Sequence, residues 1–242
     1  SHWPCFRGSE GGLVTWTNVP LQFDVRSGAG VLWKAAVLAP GHSSPIVWGD
    51  RVFLSGGDKT SHTVFCFHAV NGVLLWQRTI DLPPPPGSQD WKVPESTGIA
   101  CPTMVTDGHR AYAIFANGDL AAFDFEGKKV WAKNLGLPDN QYGHTASLAL
   151  WQNRLIVQMD QGVPEDHKSR LFAFDSATGQ LIWEKQRPVG SSWASPIIAE
   201  AAGKTQILTP AVPWTIAYDA KDGSELWRLG EMGGEVTPSP IF

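Results

Sequence analysis

Charge is scarce in this chain, and so is cysteine. Asp, Glu, Lys and Arg make up 17% of the 242 residues, well below the usual share of about a quarter. The formal net charge is −4 without any basic cluster, which argues against nucleic acid as a partner, because phosphate contacts need a positive stripe. No apolar run approaches the ~20 residues of a membrane-spanning helix. The opening Ser1-His2-Trp3-Pro4 is neither basic nor followed by an apolar core, so no signal peptide is expected in the chain as given, a removed leader staying open. Cys5, Cys66 and Cys101 form no Cys-x-x-Cys and no adjacent pair, which excludes a disulfide framework and the usual zinc signatures. Cys66 reads as a small buried hydrophobe, with a Cys66–Cys101 bridge between neighbouring repeat units as the alternative. Ser/His/Asp arrangements, phosphate-binding glycine loops and His-Glu-x-x-His are also missing.

What is plentiful is glycine (25), proline (18) and tryptophan (12), the profile of many short strands joined by tight turns. Four times a glycine precedes a tryptophan by four residues at the end of a β-prone run: Gly72/Trp76, Gly127/Trp131, Gly179/Trp183 and Gly223/Trp227. Trp33 ends a similar earlier segment, and the successive tryptophans lie 43, 55, 52 and 44 residues apart. That period, with one aromatic signature per unit, predicts a β-propeller.

Aligned on tryptophan, the units share a grammar. Each opens on a small polar residue before an apolar run: Ser44-Pro45-Ile46, Cys101-Pro102-Thr103, Ser147-Leu148-Ala149, Ser195-Pro196-Ile197. A turn, a second strand, a variable loop and a third strand ending in a polar residue follow, as in Phe174-Asp175 and Tyr218-Asp219. The glycine then takes a left-handed turn position without Cβ strain and delivers the fourth strand with its tryptophan. Tryptophan between adjacent blades buries a large apolar area, while its indole N–H still needs an acceptor. Asp175 and Asp219 are read as capping the turns. On this reading the glycines, tryptophans and aspartates at these positions are blade cement.

The stretch from Ala173 to Trp183 resembles the tryptophan-docking motif of PQQ-type propeller repeats, Ala-x-Asp-x-x-Thr-Gly-x-x-x-Trp, at every defined position. Ala217 to Trp227 is similar, with Asp222 in place of threonine; Cys66 to Trp76 is looser, and the turn before Trp131 is one residue shorter. The opening Trp3-Pro4-Cys5-Phe6-Arg7-Gly8 resembles the start of bacterial PQQ-like propellers, including relatives of the outer-membrane assembly lipoprotein BamB. The resemblance implies an all-β propeller of four-stranded antiparallel blades, about seven or eight in the parent, in a periplasmic or secreted protein. Against that count the chain reads as one incomplete domain over 1–242. It has a lead-in at 1–43, blades at about 44–80, 99–135, 145–187 and 193–229, and the start of another at 235–242. That amounts to an arc of about five blades.

Two functions are compatible with such a fold, since a propeller does not fix its activity. The first is a non-catalytic protein-binding or scaffolding module with proteins or peptides as partners and no cofactor. The alternative is a quinoprotein-type oxidoreductase, for which the resemblance implies PQQ and calcium at the propeller axis. No adjacent cysteine pair is present, and no residue set maps onto the calcium ligands of those enzymes. For the first, His42, His144 and Trp193 precede inner strands and form a candidate ligand-contacting rim, although repeat ancestry and local turn bonding are the more economical account of them. Asp160 and Gln161 are counted in the same rim; they open a loop to Lys168 rich in possible cation ligands, but its spacing does not match a calcium loop. The proline run at 83–86 is expected to be a stiff spacer.

Overall fold

The computed structural model describes residues 2–9, 11–15 and 20–241. Phe242, Trp16 and the other residues outside these ranges, which the lead-in and the 235–242 expectation include, lie beyond description. Among the described residues there are four antiparallel sheets, each a meander of strands in sequence order. The first holds β1 (His2–Trp3), β2 (Ile46–Trp48), β3 (Arg51–Gly57), β4 (His62–His68) and β5 (Leu74–Thr79). The second holds β6 (Val105–Thr106), β7 (Arg110–Ile114), β8 (Asp119–Asp124) and β9 (Lys129–Asn134). The third runs through β10 (Ala149–Trp151), β11 (Arg154–Met159), β12 (Arg170–Asp175) and β13 (Leu181–Gln186). The fourth runs through β14 (Ile197–Ala201), β15 (Lys204–Pro210), β16 (Thr215–Asp219) and β17 (Glu225–Leu229). The architecture is an all-β propeller arc. β2, β6, β10 and β14 approach one another in succession and form its inner side.

The core lies between blades. One apolar cluster joins the first and second sheets around Phe53, Trp76, Phe115 and Phe123; another joins the second and third, and a third joins the third and fourth. The tryptophan of each unit faces a small residue on the third strand: Cys66↔Trp76, Ala122↔Trp131, Ala173↔Trp183, Ala217↔Trp227. Beside each pair the register slips by one residue, a bulge that adds twist and re-aims the indole out of its own sheet. Cys66 is one of these small partners; it is buried and free, its thiol pushed up to about 12 by burial. Cys101 is free as well, so the Cys66–Cys101 alternative falls.

The indoles of Trp33, Trp76, Trp131 and Trp183 each land on the glycine of the following unit. A Cβ on Gly127, Gly179 or Gly223 would come within 2.7 Å of the ring of Trp76, Trp131 or Trp183, and Gly72 is covered in the same way by Trp33. All four glycines have positive φ, between 70° and 84°. The residue is therefore glycine for two reasons, a left-handed turn and a ring pressed flat on its backbone. The expectation had only the first. Trp33, Trp76 and Trp131 donate Nε1–H to the carbonyls of Ala69, Phe125 and Ser176 at 2.8–3.0 Å, again in the next unit. The Nε1 of Trp183 is buried without a partner.

A second seam runs along the inner side. The Ser44 N–H donates to Thr103 Oγ1 (3.1 Å), Thr103 N–H to Ser147 Oγ (3.1 Å), Ser147 N–H to Ser195 Oγ (2.8 Å), and Ser195 N–H to Ser239 Oγ (3.0 Å). The small polar residue that opens each unit is thus the acceptor for the preceding blade. This series also corrects the alignment: Thr103, not Cys101, is the counterpart of Ser44. Ser147→Ala is expected to cost about 1–3 kcal/mol, the usual penalty for orphaning a buried N–H, here that of Thr103. Urea denaturation checks this, with Ser147→Thr retaining most of the stability because it keeps the hydroxyl.

Candidate functional site

Because the strands alternate in direction, the turns between first and second and between third and fourth strands lie at one end of each sheet. The loops between second and third strands, and those leading into the next inner strand, open together at the other end. Of the connections that join one sheet to the next, that after β5 is the longest, and the expected proline spacer lies in it. Pro85 is buried, and Leu82, Trp91 and Val93 pack back on the first core cluster.

The residues singled out from sequence separate here. His42 is exposed, its N–H bonded to the Ala100 carbonyl at 2.9 Å. Trp193 holds the equivalent position in its unit, its N–H bonded to Val236 O at 3.0 Å. Its indole donates to Asn140 Oδ1 (2.9 Å), and the Tyr142 ring meets it edge-on at 5.3 Å. Asn140 donates in turn to the Asp160 carbonyl at 3.2 Å. Gln161 accepts from Asp139 N–H (3.0 Å) and donates to Lys168 O (3.2 Å), while Lys168 pairs with Asp139. The structure therefore brings Trp193 and Gln161 into one surface with Asn140, Tyr142, Asp139 and Lys168. His42 stands apart from it, at the seam between the first two blades. Sequence reasoning passed over Asn140 and Tyr142; an Asn and an aromatic two residues apart in a loop before an inner strand was the available signal.

Two of the expected rim residues are not presented at all. His144 is only 4% exposed and sits one residue out of register with His42 and Trp193, its N–H bonded to Ala116 O in the preceding blade. Its Nε2 donates to Ala146 O at 2.9 Å, and burial, only partly opposed by that bond, lowers its pKa to about 4. A histidine held neutral in the fold but protonated at ~6.5 when unfolded stabilises fully above that value. Stability should then fall by roughly 3 kcal/mol as pH drops from 6.5 to 4, and His144→Gln should flatten that slope in pH-dependent thermal melts.

Asp160 is the other. It lies on the inside of the blade, where Arg187 Nε and Nη2 reach its two carboxylate oxygens at 2.7 and 3.2 Å. Ser192 Oγ–H (2.6 Å) and Gln158 Nε2–H (2.8 Å) complete its shell, and both charged side chains are fully buried. Between the first and second blades a comparable cluster surrounds Asp119, bonded to His62 (2.7 Å), Asn134 (2.7 Å) and Asn117 (3.0 Å). Burial disfavours the Asp119 carboxylate, but these donors outweigh it and its pKa lies below the usual value. Both carboxylates are met by donors from their own surroundings and tie loops together, although Gln158 Oε1 beside Asp160 is buried without a partner.

The capping aspartates sit in the opposite turns. Asp175 Oδ1 accepts from Ala177 N–H and from the Thr178 N–H and hydroxyl; Asp219 Oδ1 accepts from Lys221 N–H. Asp160, Glu165 and Asp166 do not converge, and among the described residues no group of three His, Cys, Asp or Glu side chains is placed to hold a metal ion. A calcium ion beside a quinone at the axis would need several oxygen ligands, carboxylates among them, turned toward it. The cavity on the inner side, about 560 Å³, is instead walled by Leu148, Leu150, Pro196 and Ile198, with Arg7 and Glu200 as its charged residues. The residues present do not fit that cofactor pair.

Comparison with known proteins adds the following. A family model described as outer membrane protein assembly factor BamB matches residues 17–162 and 167–240. BamB of Alkalilimnicola ehrlichii is 25% identical over 159 residues, covering 65% of this chain and 36% of that protein. The chain thus spans about a third of that relative's length. Among solved structures, BamB from Moraxella catarrhalis superposes with a TM-score of 0.58 at 19% identity, covering 87% of this chain and 58% of the other. The quinohemoprotein alcohol dehydrogenase from Comamonas testosteroni gives 0.57 at 15%, covering 84% and 37%. At these identities the structural likenesses show the fold alone.

Proposed function

This chain belongs to the family described as outer membrane protein assembly factor BamB, and from that premise we propose that it is a non-catalytic propeller that binds other proteins or peptides in the bacterial cell envelope. The observation that carries the reading is the surface built by Trp193, Tyr142, Asn140 and Gln161. An aromatic pair is held by the Asn140 side-chain amide at the open end of the blades, the composition of a protein-contacting patch. Family membership supports a periplasmic location and an absence of cofactor. The same reading treats the chain as one incomplete propeller. Trp227 is 42% exposed and covers no glycine of a following unit among the described residues, unlike the tryptophans before it.

The test is site-specific photo-cross-linking in living cells. A photoreactive residue at Trp193 or Gln161 should yield a discrete protein adduct, and one at Glu184 on the outer belt should not. Trp193→Ala should weaken capture of that partner about tenfold or more. Adducts from Glu184 alone would overturn the rim reading. Retention of PQQ with calcium, and alcohol-dependent dye reduction, would return the protein to the oxidoreductases.

A further inference from the structure

The inner strands end in short hairpins, and this fixes where their main-chain groups point. In an antiparallel pair closed by a two-residue turn, the residues flanking the turn exchange hydrogen bonds, and the next pair outward does not. Trp48↔Arg51 flanks Gly49-Asp50, so Val47 directs its N–H and C=O away from β3, toward the propeller axis. β1 takes up that edge, with Trp3 opposite Val47. In the second blade Thr106 is the equivalent residue, and its N–H donates to Pro4 O at 2.9 Å. Residues 2–4 therefore run as an added strand along the inner edges of two successive blades.

The third and fourth blades repeat the geometry without that strand. Trp151↔Arg154 flanks Gln152-Asn153, so Leu150 turns its N–H and C=O inward. Ala201↔Lys204 flanks Ala202-Gly203; counting back in alternation, Glu200 and Ile198 do the same. Among the described residues no turn, loop or side-chain hydrogen bond satisfies these main-chain groups. All three residues line the 560 Å³ cavity, a volume in the range of ligand pockets. Its other wall includes residues 4–9 and Gly11 of the N-terminal segment.

We propose that this axial cavity is a strand-addition site, in which an extended peptide from a partner pairs with the inner edges of β10 and β14 as residues 2–4 pair with β2 and β6. Main-chain bonds at Leu150, Ile198 and Glu200 supply affinity. The apolar walls select small apolar side chains. The proposal rests on the reading of the chain as a protein-binding module, and it assigns that module a second, axial contact.

The probe is the capped hexapeptide Ac-Val-Thr-Val-Lys-Val-Thr-NH2, added to the full chain and followed by amide hydrogen exchange. Saturable binding tighter than about 1 mM is expected, with slowed exchange at Leu150, Ile198 and Glu200. N-methylation of alternate peptide residues on the pairing edge should abolish binding, and methylation of the other set should not. This control leaves the protein's own fold untouched. Absence of saturable binding, or equal tolerance of both methylated sets, overturns the axial site. Protection confined to the outer edges of β9 or β13 also overturns it, while leaving the protein-binding reading to stand on the rim cross-links.

Discussion

Asp160→Asn should lower the stability of the chain by about 3–5 kcal/mol, the penalty for leaving a buried charge without its counterion. The isosteric amide keeps the volume but leaves the Arg187 guanidinium uncompensated in a place neither side chain shares with water. It also turns a donor toward Ser192 Oγ and Gln158 Nε2, which now donate to the carboxylate. Replacing both partners, as in Asp160→Asn with Arg187→Met, should recover much of the loss, since a well-packed apolar substitute often matches a buried pair. Chemical denaturation measures both. A loss under about 1 kcal/mol for the single change would show that water reaches the pair and screens it. The Arg187 contact to Thr209 of the next blade extends the effect to the seam between the third and fourth sheets.

Removal of a docking tryptophan should be as damaging. Trp76 is 7% exposed, packs on Phe53 and Phe123, and donates to Phe125 O at 2.8 Å. Trp76→Ala is expected to cost about 3–5 kcal/mol through lost burial and the cavity left behind. Its partner supplies the sharper test. Gly127→Ala places a methyl 2.7 Å from the Trp76 ring at φ +84°, so overpacking adds about 1–3 kcal/mol to the ~1 kcal/mol of backbone strain. With Trp76→Ala already made, the overlap disappears and only the strain remains, so the double variant should fall well short of the sum of the singles. Strict additivity in that cycle would mean that ring and glycine do not touch in solution.

These residues show what could be read from sequence and what could not. The glycine–tryptophan pulse carried the architecture because both ends of the contact recur at fixed places in every unit. The hydroxyls at Thr103, Ser147, Ser195 and Ser239 recur too, yet their role stayed hidden, because each serves the main chain of the preceding unit and leaves no local pattern. Proline drew the alignment to Cys101-Pro102, two residues too early. For the site, local reasoning placed Trp193 and Gln161 in loops but had no means to tell a presented side chain from a buried one. His144 and Asp160 look as polar as their neighbours, and only packing shows that one is shut in against Ala146 O and the other against Arg187. Asn140 and Tyr142 matter through a contact with a residue more than fifty positions later in the chain.

The two seams also share a direction. At the inner seam each unit offers an N–H and the next offers a hydroxyl; at the outer seam each unit offers an indole and the next offers a bare glycine backbone. Every blade is therefore a plug on one side and a socket on the other, of the same pattern all along the arc. A blade inserted, deleted or moved to a new place in the order would still meet a matching neighbour on each side. How many blades close such a ring is then governed by the curvature each one contributes, and the joints themselves are indifferent to the count.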